Sequence, residues 1–301
     1  MSNVDPSKTV MTGTRQTMMT WAKVVEALDE VPAAFREACH QVVGDRPVFP
    51  YVVYAPTLGG TRHRVSDSVL CDVDDTLFIV QRTGRQLTTT GYPWAGIRDL
   101  EYGNSLLYSW ITVWGQTAQG VSSTTTVVFN LSTARYFRPL IGKARTAPPP
   151  ADGPVQLDEV AGASFKFVNF ARESLRPGEW VREAVWQPAI RQRIAGVLGW
   201  SFYRTVSLAH LTVLTDREVI LIRDDEESAR KGKARYGGVW RYVPLRHVVS
   251  TAIGETPEGF LTLSLGLTAN GRIERVFAAD RRAELEGFQG ALEALIKRQA
   301  A

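Results

Sequence analysis

The sequence predicts a mainly β protein with helices, an α+β chain of two successive strand sets, each closed by a C-terminal helix and led in by short helices. Three observations predict it. Leu261, Leu263, Leu265 and Leu267 alternate with small or polar residues, the period-two mark of a strand with one buried face. After Asp280, a plausible N-cap, the residues Leu285, Phe288, Leu292, Leu295 and Ile296 fall on one helical stripe, as a helix plugging a sheet requires. Residues 144–157, ARTAPPPADGPVQL, form a Pro-rich linker between two segments of similar texture.

Taken in order, residues 1–19 form a polar, flexible start. TWAKVVEALDE, with Thr20 as cap, and PAAFREACHQVVG, with Pro32 at its first position, read as two short helices. From Val48 to Phe129 the pattern turns to strand, broken at Gly59-Gly60 and at Gly91-Tyr92-Pro93. STARYFRPLIGK gives a short helix that Pro139 should shorten or kink. These elements make a first domain at 20–143. After the linker, SFKFVNFARESL is a leading helix. Val213, Thr215 and Val219 to Ile222 then form strands around an Asp216-Arg217 turn, and Ala269-Asn270-Gly271 is a later turn. This second domain, 158–301, is expected to fold on its own.

The two halves match when Leu77 is set on Val219. Asp74 then falls on Asp216 and Cys71 on Val213, while Pro93 meets Pro244, Gly103 meets Gly254 and Phe129 meets Phe277. Loop-sized insertions reconcile the offsets, so the expectation is a tandem duplication.

With 301 residues, 44% hydrophobic and 22% charged, the composition is that of a globular protein of about two domains. The net charge of +4 permits anionic partners without demanding one, and no nucleic acid is expected. Cys39 and Cys71 are too few for a disulfide framework and read as buried thiols of a reducing compartment. Residues 1–20 lack a signal-peptide pattern. The longest apolar stretch, IAGVLGWSFYRTVSLAHLTVL, is interrupted by Arg204 and His210. The expected location is cytoplasmic.

SLRPGEWV, HLTVLTDREVILI, WRYVPLRHV and the helix after RVFAADRR together resemble the bacterial pleckstrin-homology-like (PH-like) family over roughly residues 165–298, with a weaker echo earlier. The resemblance implies two tandem PH-like bent β-barrels. It implies a fold more than a role. The expected function is a non-enzymatic binding or scaffolding module without a cofactor. A protein or peptide adaptor is favoured over a peripheral binder of anionic membrane lipid, and a homo-oligomer stays open.

LCDVDDTLF, residues 70–78, resembles instead the first motif of haloacid-dehalogenase-type phosphatases. That likeness would make Asp72 the nucleophile and Asp74 the general acid, with Mg2+ between Asp72 and the substrate phosphate. Asp224 and Asp225 would pass for the acidic metal motif. The context opposes it. Such enzymes need a parallel sheet with crossover helices, and residues 77–130 contain no helical period long enough to cross over. Alternation puts Asp72 and Asp74 on the face opposite Cys71 and Val73, hence outside the core. The four histidines, at 40, 63, 210 and 247, have no metal-ligand spacing.

In the PH-like fold, loops after strands one, three and six gather at an open barrel end. The resemblance therefore implies a ligand rim of Arg191, Arg193 and Arg204, then Arg230, Lys231, Lys233 and Arg235, then Arg272. Convergent cations of this kind bind phosphate or carboxylate. The acidic run Asp224 to Glu227 before Arg230 makes a mixed-charge stretch, whose plainer reading is a solvated loop. Most of the eight tryptophans read as core filler.

Overall fold

A computed structural model describes residues 21–57, 66–105, 107–145, 160, 162–197, 200–226 and 237–300. The chain is α+β, mostly antiparallel sheet with few helices and a long C-terminal helix. Its strands are β1 (Lys23–Val25), β2 (Tyr51–Ala55), β3 (Asp67–Val73), β4 (Thr76–Thr83), β5 (Gln86–Pro93), β6 (Ile97–Ser105), β7 (Tyr108–Gln116) and β8 (Ser122–Asn130). After the linker follow β9 (Val181–Gln187), β10 (Ile190–Val197), β11 (Trp200–Ser207), β12 (His210–Thr215), β13 (Glu218–Arg223), β14 (Gly238–Pro244), β15 (Val248–Glu255), β16 (Leu261–Leu267) and β17 (Gly271–Phe277). The α-helices of the described residues are α1 (Ala33–Val43), α2 (Arg138–Ala144), α3 (Phe165–Ser174) and α4 (Arg282–Ala300).

The strands form four sheets, ordered β1-β2-β3-β4-β5, β10-β11, β8-β7-β6-β14-β13-β12-β9 and β15-β16-β17. Among the described residues no sheet closes into a barrel. Two compact units result: Met1–Gly91 with Leu107–Ser109 and Val127–Leu140, and Tyr92–Leu106 with Trp110–Thr126 and Ile141–Ala301.

In the first unit, Phe35, Cys39 and Val43 recur every four residues along α1 and are buried. They join Val69, Cys71 and Val73 of β3 in one apolar cluster. Asp74 turns the β3–β4 hairpin with φ of 52° and ion-pairs bidentately with Arg46 at 2.7 and 2.8 Å. Asp is one of the few non-glycine residues that tolerate this conformation.

In the second unit, β12 is buried at every position, as a central strand rich in β-branched and large apolar residues should be. It pairs with β13 and β9. On β16 the four leucines are buried and the intervening residues are partly exposed. Leu285, Phe288 and Leu292 of α4 complete the core with Val219, Leu221, Val243, Ile273 and Phe277. Ala269 and Asn270 adopt φ of 53° and 56° in the β16–β17 hairpin, a type I′-like geometry.

β14 pairs with β6 over five positions, from Gly238↔Asn104 to Tyr242↔Leu100. A strand from 158–301 therefore lies in one sheet with a strand from 20–143, and both belong to the second unit.

Several local expectations need correction. TWAKVVEALDE is not a helix. Lys23–Val25 pairs with Val52–Tyr54, and only Leu28–Glu30 coils, as a 3-10 turn. Val24-Val25 is a short β-branched run that gains more from a neighbouring strand than from costly helix nucleation. β5 runs unbroken through Gly91, where a Cβ would meet the Phe78 ring at 2.8 Å, so the glycine serves close approach rather than a turn. Asp280 lies inside a 3-10 turn, Ala279–Arg281, and does not cap α4. The segment after β8 divides into a 3-10 turn capped by Asn130 and α2, with Pro139 in the first turn of that helix. Thr20 and Gly59-Gly60 lie outside the described residues.

Candidate functional site

Of the eight expected rim residues, Arg230, Lys231, Lys233 and Arg235 lie outside the described residues. Arg191 and Arg193 share one face of the β10–β11 ribbon, while Arg204, opposite Gln192, lies on the other; all three are exposed. Arg204 donates to Gln192 Oε1 at 3.0 and 2.8 Å and lies 3.6 Å from Glu258. Arg272 lies near the start of β17 instead, paired with Glu274 at 2.7 Å.

A second group of arginines is more enclosed, and alternation places it. Along β13 the residues sharing the core face run Val219, Leu221, Arg223. Along β14 they run Val243, Arg241, Val239, and along β17 Ile273, Arg275, Phe277. On each strand an arginine occupies an inward register beside buried apolar residues. Arg241 stands directly across from Glu101 of β6, and Arg223 directly across from His210. The apolar face of the sheet thus becomes polar toward one end. There Glu101, His210, Arg223, Arg241 and Arg275, with Ser207, line a cleft of about 380 Å³.

The partners of the three guanidinium groups differ. Arg241 bonds the buried Asp99 at 2.5 Å and lies 4.1 Å over the Trp114 ring, so it is neutralised and fixed. Arg223 is shared between Glu101 at 3.7 Å and Glu226 at 3.5 Å. Trp110 Nε1 donates to Glu101 at 3.0 Å and orients it. Gly103 makes room for this tryptophan, since a Cβ there would stand 2.1 Å from its ring. Arg275 donates to the carbonyl of Glu274 at 3.0 Å, and no carboxylate of the described residues lies within ion-pairing distance of it. Burial first, then repulsion by Arg223 and Arg241, lowers its pKa to about 10 against the attraction of Glu101.

His210 is buried, with its ring edge-on to Phe277 at 4.8 Å. Its Nδ1 lies 2.9 Å from the carbonyl of Leu208, so the proton belongs on Nδ1. Nε2 is then an acceptor, and it is buried without a hydrogen-bond partner. Burial chiefly lowers the pKa to about 4, helped by Arg275 and opposed by the Leu208 carbonyl.

Asp72 and Asp74 hold a different environment. Asp72 sits in β3 opposite Leu77, half-exposed; Cys71 and Val73 are buried on one face as expected, but Leu77 shares the face of Asp72 with buried Leu70 and Ile79, so both faces of β3 are covered and that face is not the open one alternation was expected to give. Asp74 is the hairpin turn residue already described. Among the described residues no group of three or more His, Cys, Asp or Glu has metal-binding geometry, and no helix is long and apolar enough to cross a membrane.

The inward arginines were legible as charged residues inside VILIR, VWRYV and RIERVF. Attention to loop cations passes over them, because each sits within a strand and not at a turn. The carboxylates that meet two of them, Glu101 and Asp99, arrive through the β6–β14 pairing, which no local pattern encodes. Neither a scan against protein-family models nor a search of curated proteins finds a match for this chain.

Proposed function

We propose that this chain is a non-enzymatic cytoplasmic binding module, a tandem PH-like scaffold that holds an anionic group of a protein or peptide partner in the cleft of Arg223, Arg241 and Arg275. The observation that carries the reading is Arg275. A guanidinium at an inward register, among like charges and without a carboxylate partner among the described residues, is costly to keep unless an anion compensates it. Its planar fork suits a carboxylate or phosphate, and the neighbouring Arg241 is already fixed by Asp99 and Trp114.

The duplicated scaffold has separate support. β3–β4 and β12–β13 are hairpins of like register. Pro93 and Pro244 each precede a three-residue 3-10 turn, and three strands, a 3-10 turn and an α-helix follow in both halves. This shared order favours the PH-like reading over the phosphatase one.

Titration of the full chain with a glutamate-rich peptide and with inorganic phosphate tests the function. Binding to at least one is expected, weakened at least tenfold in Arg275→Leu. Because that variant removes an uncompensated charge, its Tm should rise by about 2 °C. Equal affinity of the two proteins would remove the cleft from the function. Mg2+-dependent hydrolysis of p-nitrophenyl phosphate, lost in Asp72→Asn, would replace the binding reading by the phosphatase one.

A further inference from the structure

One polar atom of the cleft is left unmet. His210 is 2% exposed and lines the cleft beside Arg223, Arg241 and Arg275. Its Nδ1 proton goes to the Leu208 carbonyl at 2.9 Å, with Ser207 Oγ at 3.3 Å from the same nitrogen. Nε2 therefore offers a lone pair and no proton, and it is buried without a partner. A buried acceptor that has given up water is costly until a donor meets it.

The same cleft lacks an anion. Glu101 and Glu226 share Arg223, Asp99 holds Arg241, and Arg272 takes Glu274. Arg275 donates to a carbonyl and meets no carboxylate among the described residues. The two unmet groups are neighbours. The His210 ring lies 4.8 Å from that of Phe277. Arg275 is two residues from Phe277 on the same face of β17, about 6–7 Å along the strand.

A ligand that satisfies both must carry negative charge and a donor hydrogen a few ångströms apart. The anions a polypeptide can offer differ in this. A phosphorylated side chain is mostly dianionic at neutral pH and presents acceptors only. A glutamate or aspartate side chain ends in two acceptor oxygens, with its backbone N–H set back by the length of the side chain. The last residue of a chain is different. Its α-carboxylate and its own amide N–H flank one Cα, with the nitrogen about 2.5 Å from the carboxyl carbon. A free amino acid would put an ammonium in that place, and three guanidinium groups repel it. The cleft, of about 380 Å³, has the size of a small-ligand site and admits a chain end rather than a folded surface.

We propose that the cleft receives the C-terminal end of a partner polypeptide. The α-carboxylate accepts from the fork of Arg275, and the last amide N–H donates to His210 Nε2. This rests on the anion-binding reading of the cleft and narrows it to one kind of anion.

NMR titration of the full chain with three peptides tests the assignment. They are acetyl-trialanine with a free carboxylate, the same peptide as its C-terminal amide, and the acid with its last nitrogen methylated. The acid should bind at least about tenfold tighter than the amide, which gives Arg275 no charge to pair with. It should also bind at least about tenfold tighter than the methylated acid, which leaves Nε2 unpaired. His210→Phe should bind the acid and the methylated acid within about twofold of each other, and still prefer both to the amide. Arg275→Leu should lose the preference for acid over amide. The assignment is overturned if the acid does not bind, if acid and amide bind alike, or if the methylated acid matches the acid. It is equally overturned if the methyl penalty survives in His210→Phe. A glutamate-rich peptide separates this failure from failure of the cleft itself. If that peptide binds equally with its C-terminus free or amidated, and loses the binding in Arg275→Leu, the cleft holds side-chain anions and only the chain-end assignment falls. If neither it, nor inorganic phosphate, nor acetyl-trialanine binds, both fall.

Discussion

Arg145 gathers most of a buried network in the second unit. Its guanidinium donates to Glu218 Oε1 through Nε at 2.9 Å and again through Nη2, donates to the carbonyl of Ser174 at 2.7 Å, and stacks 3.9 Å over Tyr242. Glu179 stands 3.8 Å away. Burial pulls the Arg145 pKa down, but Glu218 and Tyr242 carry it above its usual value. Around it, Thr215 Oγ1 donates to Glu179, and Arg176 donates to the carbonyls of Gly142 and Arg145, capping the end of α2. Arg145→Met would leave two carboxylates buried and uncompensated. A loss of about 3–5 kcal/mol is expected in urea unfolding. Adding Glu218→Leu should restore a good part of it, because the second change removes one orphaned charge. Additive losses would mean that the pair is not coupled. Of this network only RPGEW and the Asp216 turn were visible beforehand. Arg145 itself fell in a stretch read as linker, since a Pro-rich neighbourhood hides one residue that packs inward.

At the scale of elements, strands were legible where alternation is strict, as on β16, or where β-branched residues cluster, as on β12 and β13. The stripe on α4 was legible for the same reason. Phe288 in its centre is fully buried against β-sheet leucines, so Phe288→Ala should cost about 3–5 kcal/mol. A loss under about 1 kcal/mol would mean that the helix is not docked. What periodicity could not give was strand pairing across the linker. The β6–β14 ladder joins residues more than 130 positions apart, and nothing local in GVWRYVP names IRDLEYGNS as its neighbour. A fragment of residues 158–301 leaves that edge of β14 unpaired and removes Glu101 and Asp99 from Arg223 and Arg241. A fragment of residues 92–301 keeps both. The longer fragment should therefore unfold cooperatively, and the shorter one should melt lower and associate through its open edge. Equal melting temperatures would show that the ladder contributes nothing to the fold.

For the whole molecule, the response to acid follows from two buried imidazoles. His210 and His247 both have their pKa lowered from 6.5 to about 4, in each case chiefly by burial. For His247 the neighbouring Arg246 adds to the effect and Asp99 opposes it. In the unfolded chain both return to the ordinary value and take up protons near pH 6.5. A histidine depressed on folding contributes stability that is complete above pH 6.5. That contribution shrinks as pH falls from 6.5 toward 4, because the unfolded state then binds protons the folded state refuses. At pH 5 each histidine should have lost about 2 kcal/mol of its contribution. Glu218 works in the opposite direction. Burial raises its pKa against the pull of Arg145, so the folded state gains relative stability as pH drops toward 4.5. One carboxyl opposing two histidines leaves a net fall. Urea unfolding of the full chain at pH 7.5 and 5.0 should show stability lower at pH 5.0, and His210→Phe should remove about half of the difference. The phenylalanine fills a similar volume beside Phe277 and carries no titrating group, so its pH 7.5 stability should stay within about 1.5 kcal/mol of the parent. A parent protein equally stable at both pH values would mean that neither imidazole is held neutral, and that the cleft around His210 is open to water and protons.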